Sequence, residues 1–159
     1  MDESRIQIML EEVKSGDLSI ADAMKVFKQL PFENVEGIAR LDHHRTLRRG
    51  FPEVIMAQGK TAEQVSIIFR RMMEKSDKVL ATRVSDVMYA QIREQLPEAT
   101  YLPLPKLLFV NRAANESKLK GVLVATGGTA DIPVAEEAAV TAELMGNEVT
   151  RLYDVGVAG

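Results

Sequence analysis

The sequence predicts an α/β protein, and three observations carry that prediction. Residues 120–126 (KGVLVAT) form an apolar run of strand length, 127–131 (GGTAD) a glycine-rich polar turn, and 148–153 (EVTRLY) a second strand pattern. With the helical spacing between them, these make one βαβ unit with parallel strands. Upstream, between residues 53 and 110, strand and helix patterns alternate, as in a small parallel α/β domain. The composition, 46% hydrophobic and 27% charged over 159 residues, is that of an ordinary globular chain.

Taken in order, Ile6, Met9, Leu10 and Val13 fall on one helical stripe that Gly16 can stop. Ser19 can cap a second helix with Ile20, Ala23, Met24, Phe27 and Leu30 on its apolar face, ended by Pro31. Short strands are expected near 35–41 and 53–56, with a charged connection between them. Thr61-Ala62-Glu63-Gln64 has the form of a capping box, opening a helix whose inward positions are Ala62, Val65, Phe69 and Met72. Residues 78–83 read as a strand. Ser85 then caps a helix carrying Met88, Ile92 and Leu96, which Pro97 closes, and 106–110 is a further strand.

The polar stretch 111–118 has no apolar periodicity and places a boundary between a region 1–115 and a region 116–159. In the second region a helix over about 132–146 would turn Val134, Ala138, Ala142 and Met145 to one face, with Gly146-Asn147 as its C-cap signal. Glu136-Glu137 reads as an acidic first turn complementing the helix dipole, and Met72-Met73 as core filling. Two parallel strands leave both edges and much apolar surface uncovered. A domain ordinarily takes ~100–150 residues, so the expectation is a C-terminally truncated chain whose second domain is incomplete.

A net charge of −3 gives no support for nucleic acid or an anionic membrane as partner. No apolar run approaches the ~20 residues of a membrane helix, and the N-terminus MDESR lacks a secretory pattern, so a cytoplasmic location is expected. The absence of cysteine excludes disulfides, thiolate metal sites and a cysteine nucleophile within the chain.

Four places could carry chemistry. In Gly127-Gly128-Thr129-Ala130-Asp131, the glycines allow close backbone approach, the helix N-terminus offers N–H groups to a phosphate, and Thr129 adds a hydroxyl. Asp131 would repel a phosphate, so its roles are helix cap or acceptor from sugar hydroxyls. The alternative is a turn shaped by glycines alone. Asp42-His43-His44-Arg45, with Arg48 and Arg49, would suit a pyrophosphate or carboxylate, or else form a solvated loop. Thr82 and Arg83 stand where a strand gives way to a helix cap, the position at which open α/β sheets collect ligands. They are candidate anion contacts, or a surface pair. Asp154 holds the same place after the last strand, and could orient a ribose or base or simply lie in a turn.

Leu41-Asp42-His43-His44-Arg45, Gly50-Phe51-Pro52-Glu53-Val54-Ile55, Ala81-Thr82-Arg83-Val84, the block 128–138 (GTADIPVAEEA) and the closing 153–159 (YDVGVAG) occur in that order. Together they closely resemble the LarB family, the carboxylase/hydrolases of nickel-pincer nucleotide cofactor biosynthesis. The resemblance spans nearly the whole chain and is weakest over the first thirty residues. It implies an N-terminal α/β region followed by a flavodoxin-like three-layer domain similar to the purine-pathway aminoimidazole ribonucleotide carboxylases.

The implied reaction joins CO2 to C5 of nicotinic acid adenine dinucleotide and cleaves its phosphoanhydride. The products are pyridinium-3,5-biscarboxylic acid mononucleotide and AMP. An electron-poor pyridinium carbon does not attack CO2. A cysteine thiolate added to the ring makes an enamine-like dihydropyridine that can, and loss of the proton and thiolate restores aromaticity. CO2 is then co-substrate, Mg2+ a candidate companion ion, and no cofactor is covalently bound. The resemblance also implies a homo-oligomer for the full-length protein.

By the same resemblance Thr129 lies where the related carboxylases contact phosphate, Asp131 where they contact ribose, and Asp154 near the base, with Gly128 beside Thr129 as a substrate-binding backbone position. Asp42, His43, Arg45, Thr82 and Arg83 are assigned to the dinucleotide's carboxylate or pyrophosphate. The family's nucleophilic cysteine and acid/base glutamate belong to the later half of the C-terminal domain. The catalytic residues are therefore expected beyond Gly159, and the chain by itself is expected to be inactive. The other readings are an aminoimidazole ribonucleotide carboxylase, disfavoured by the long N-terminal region, and a non-catalytic nucleotide-binding or oligomerisation module.

Overall fold

The computed structural model describes residues 3–28, 32–35, 39–42, 53–113 and 117–157. For residues 3, 27, 28, 32–34 and 39–42 it describes the backbone alone. The chain divides into two compact units, residues 1–53 with 74–76 and residues 54–73 with 77–159.

The first unit contains helices α1 (Glu3–Ser15) and α2 (Ile20–Lys28). Gly16 closes α1 with a left-handed φ of +89°, which glycine adopts without a Cβ penalty. Ser19 caps α2 as expected, accepting from the Asp22 amide at 3.1 Å. Met9 and Ala23 are buried, but Leu10, Ile20 and Met24, expected on the apolar faces, are exposed. Where one strand was expected near 35–41, the chain forms two, β1 (Phe32–Val35) and β2 (Ala39–Asp42), paired antiparallel with Val35 opposite Ala39.

The second unit begins with β3 (Val54–Met56), α3 (Ala62–Met73), β4 (Lys78–Thr82), α4 (Asp86–Ile92), β5 (Thr100–Leu102) and β6 (Leu107–Asn111). The strands form one sheet in the order β3-β4-β6-β5. β3 and β4 are parallel, whereas β6 runs antiparallel to both of its neighbours, so this α/β sheet is mixed. Both expected caps are present. Thr61 Oγ1 accepts from the Gln64 amide at 3.2 Å while Gln64 Oε1 accepts from the Thr61 amide at 3.0 Å, and Ser85 Oγ accepts from Met88 N at 3.2 Å. Val65, Phe69 and Met72 are buried as the spacing predicts, joined by Ser66, whose hydroxyl donates to Gln95 Oε1 at 2.7 Å. Alternation along β4 and β6 splits the core into two faces. Val54, Leu80, Leu107, Phe109 and Leu102 share one of them.

The βαβ unit follows: β7 (Leu119–Ala125), a 3₁₀ turn (Thr129–Asp131), α5 (Ile132–Leu144) and β8 (Asn147–Leu152), with β7 and β8 parallel. Its helix buries Ala135, Ala139 and Val140. The expected face is corrected: Val134 and Ala138 are exposed, and Ala142 and Met145 only half-buried. The reason is that α5 packs against two sheets. It meets β7 and β8, and it also meets β4, with Val140 and Leu144 resting on Leu80 and Leu107. A helix buried from two sides is apolar around much of its circumference, so its sequence does not single out one stripe. Beyond α5, the sheet keeps Leu119, Leu123 and Leu152 about half exposed or more.

Candidate functional site

The site is built where β7 and β8 end side by side. Thr126, the first residue past β7, is buried and joins the two strand ends three times. Its amide donates to Leu152 O at 3.0 Å, its carbonyl accepts from Val155 N at 3.1 Å, and its Oγ1 accepts from Asp154 N at 3.0 Å. One step on, Gly156 N donates to Gly127 O at 2.9 Å. The approach is so close that a Cβ at Gly127 would lie 2.7 Å from Val157 Cγ1 and 3.5 Å from Gly156 O. Asp154 takes a left-handed backbone, φ +58°, uncommon outside glycine and best tolerated by Asn and Asp. Two loops from the carboxyl ends of parallel strands thus form one ledge, the usual ligand position in open α/β sheets.

Gly128 precedes the 3₁₀ turn in extended conformation, and its amide donates to Asp131 Oδ2 at 3.3 Å. Asp131 therefore holds its own 3₁₀ turn, whereas the helix cap expected from the sequence does not form: as the residue before α5 it makes no side-chain bond to that helix. Both Asp131 and Thr129 are exposed, so the carboxylate keeps capacity to accept further hydrogen bonds.

Thr82 ends β4, and its carbonyl accepts from Ala57 N at 2.9 Å. Arg83 follows with φ +60°, and its Nε lies 3.0 Å from Glu137 Oε2 on α5. The pair Glu136-Glu137 is corrected accordingly: it lies past the first turn, and each carboxylate takes an arginine. Arg151 Nε sits 3.0 Å from Glu136 Oε1, and Arg151 Nη1 2.6 Å from Glu143 Oε1. The bond from Arg151 holds the Glu143 carboxyl below the usual glutamate range. Tyr153 Oη is sealed from solvent with no hydrogen bond of good geometry. Burial first, and then the neighbouring Glu136, push its ionisation above the usual tyrosine range.

The remaining candidates belong to the first unit or to its undescribed stretch. Asp42 ends β2 in the first unit, and His43, Arg45, Arg48 and Arg49 lie outside the described residues. Among the described residues no group of three or more His, Asp or Glu side chains could hold a metal ion. No helix among them is long and apolar enough to cross a membrane. Sequence reasoning missed Thr126, Glu136 and Glu137. The first is a strand-end threonine paired 28 residues away, and such pairings leave no local signal.

The sheets and their strand-end loops define an open-sheet α/β protein. Within that class, residues 32–112 match the LarB/PurE-like N-terminal domain, a stretch containing β1 to β6, and the chain belongs to this family. It is also similar to an uncharacterized protein of Methanocaldococcus jannaschii, 34% identical over 157 residues, covering 95% of this chain. The chain spans 61% of that relative's length.

Proposed function

We propose that this chain is the substrate-binding portion of a carboxylase/hydrolase converting nicotinic acid adenine dinucleotide and CO2 to pyridinium-3,5-biscarboxylic acid mononucleotide and AMP. The family match supports a carboxylase-type relation. The observation that carries the site is the ledge joined by Thr126, with Gly128 and Thr129 offered to phosphate and Asp131 and Asp154 to ribose and base. Asp42, His43, Arg45 and Thr82 remain proposed contacts for the dinucleotide's carboxylate or pyrophosphate. A thiolate for ring activation has to come from outside these 159 residues, since they contain no cysteine. In this reading 1–115 is an N-terminal region and 116–159 the beginning of a carboxylase-like domain, in a cytoplasmic homo-oligomer.

The test is turnover by the protein purified from its own cells, supplied with bicarbonate and either nicotinic acid adenine dinucleotide or aminoimidazole ribonucleotide. AMP release with uptake of labelled carbon from the dinucleotide is the expected result. Carboxylation of the purine ribonucleotide alone would transfer the assignment to the purine-pathway enzymes. Tight binding without turnover would leave a nucleotide-binding module.

A further inference from the structure

We propose that Glu136 and Glu137 form a two-armed clamp that fixes the turn heading α5 against both sheets, and that Arg83 is a positioning residue acting through Glu137. The clamp rests on the reading above only for the identity of the ligand. Adjacent residues on a helix diverge by about 100°, and here the divergence serves two sheets. Glu137 receives Arg83 from the end of β4, and Glu136 receives Arg151 from the end of β8, each at 3.0 Å. The carboxylate side chains are only 22% and 20% exposed, so both ion pairs are partly withdrawn from water.

Arg83 is presented by a loop held on either side. Ala57 N donates to Thr82 O, Val84 N donates to Lys106 O, and Tyr101 Oη donates to Val84 O, each at 2.9 Å. These bonds over-determine the loop and retain a left-handed arginine that would otherwise relax. The apolar seam of Val140 and Leu144 on Leu80 and Leu107 holds α5 on the sheet. The two charged, directional hydrogen bonds add a further lock on the helix's rotation. Rotation of α5 would swing the Gly128–Asp131 turn at its head, and through Arg151 would disturb the strand that leads into Asp154.

The experiment is amide hydrogen exchange on the intact chain, with dinucleotide affinity measured alongside, for Arg83→Asn, Glu137→Ala and the double variant. Asparagine tolerates the left-handed backbone but is too short to reach Glu137. Each single change is expected to speed exchange at residues 127–131 about two- to fivefold, the range of a partly exposed ion pair. The double variant should do no more than either single. Arg83→Lys, which keeps the charge, should recover part of the protection. Unchanged exchange at 127–131, or a double variant that multiplies the single effects, would overturn the clamp. So would weakened binding in Arg83→Asn with none in Glu137→Ala, because Arg83 would then touch the ligand itself. Faster exchange in a chain with no affinity for the dinucleotide would leave the clamp standing and remove the substrate assignment.

Discussion

The amide of Asp154 donates to Thr126 Oγ1 at 3.0 Å across 28 residues of chain, so the residue that ends one parallel strand organises the loop that follows the other. This hydroxyl is the keystone of the ledge. Replacing it leaves a polar N–H without its partner in a part-buried setting, which costs about 1–3 kcal/mol. Thr126→Val is therefore expected to destabilise the chain by that order and to weaken dinucleotide binding, while Thr126→Ser stays close to the parent. Thermal unfolding and calorimetric titration of the two variants check this. Equal behaviour of Val and Ser would remove the keystone role.

Gly127 is where the two loops come closest. In Gly127→Ala the new Cβ would meet Val157 Cγ1 at 2.7 Å, and Val157 is 94% exposed and able to yield. The expected result is a modest loss of stability, on the order of 1 kcal/mol, with the 155–157 segment displaced. Adding Val157→Ala should recover most of that loss. Additive losses in the double variant would mean that the strain lies in the backbone at Gly156.

Asp131 caps its own turn through the Gly128 amide. Asp131→Ala should cost about 1 kcal/mol as a lost cap, and on the proposed function it should weaken dinucleotide affinity by more than that. Stability and affinity measured on the same variant separate the two roles. Loss of stability with unchanged affinity would leave Asp131 a cap only.

Acid should loosen the α5–β8 contact. Arg151 holds the Glu143 carboxyl below its ordinary value of 4.5, so the folded state binds that proton more weakly than the unfolded chain. The stabilisation is fully present above the ordinary value and is lost as pH falls through the lowered one. For a partly exposed pair it is below about 1 kcal/mol. Glu143→Gln should lower the neutral plateau of the stability–pH curve by that amount and flatten its acid limb, leaving the slope above neutrality unchanged. An unaltered acid limb contradicts the pairing.

Alkali should act through Tyr101. Burial first, and then the Asp86 carboxylate, whose Oδ1 lies 3.0 Å from the hydroxyl and shares its proton with Val84 O, push its ionisation from 10.0 up to about 12. The folded state holds this proton more tightly, so the contribution is fully present below pH 10.0 and lost as pH rises through about 12. Phenolate absorbance should show Tyr101 and Tyr153 titrating late, and Tyr101→Phe should remove the step near pH 12 while leaving the Tyr153 step in place.

The sequence disclosed what depends on near neighbours. The Thr61–Gln64 capping box, the Ser19 and Ser85 caps and the left-handed Gly16 stop all lie within a turn of the residues they serve, and all form as expected. The parallel β7-α5-β8 unit was legible too, because β7 holds the apolar run Val122–Ala125, a glycine turn follows it, and a second strand pattern follows the helix.

Other features were hidden for physical reasons. β5 (Thr100–Leu102) is three residues long between Pro97 and Pro103, too short for a period to emerge. The buried stripe of α5 was misread because Ala and Val surround a helix covered from two sides. Thr126–Asp154, Arg83–Glu137 and Glu136–Arg151 join residues far apart in sequence, and only the fold brings them together. The glycine-rich turn was therefore readable as a candidate, while the contacts that give the ledge its shape were not.

The most direct test of the central claim is backbone amide chemical-shift mapping while nicotinic acid adenine dinucleotide is titrated into the chain. Saturable shifts centred on Gly127, Gly128, Thr129, Asp131 and Asp154, reduced in Asp131→Ala, are the expected result. Saturable shifts confined elsewhere, or none at any concentration reached, would contradict it.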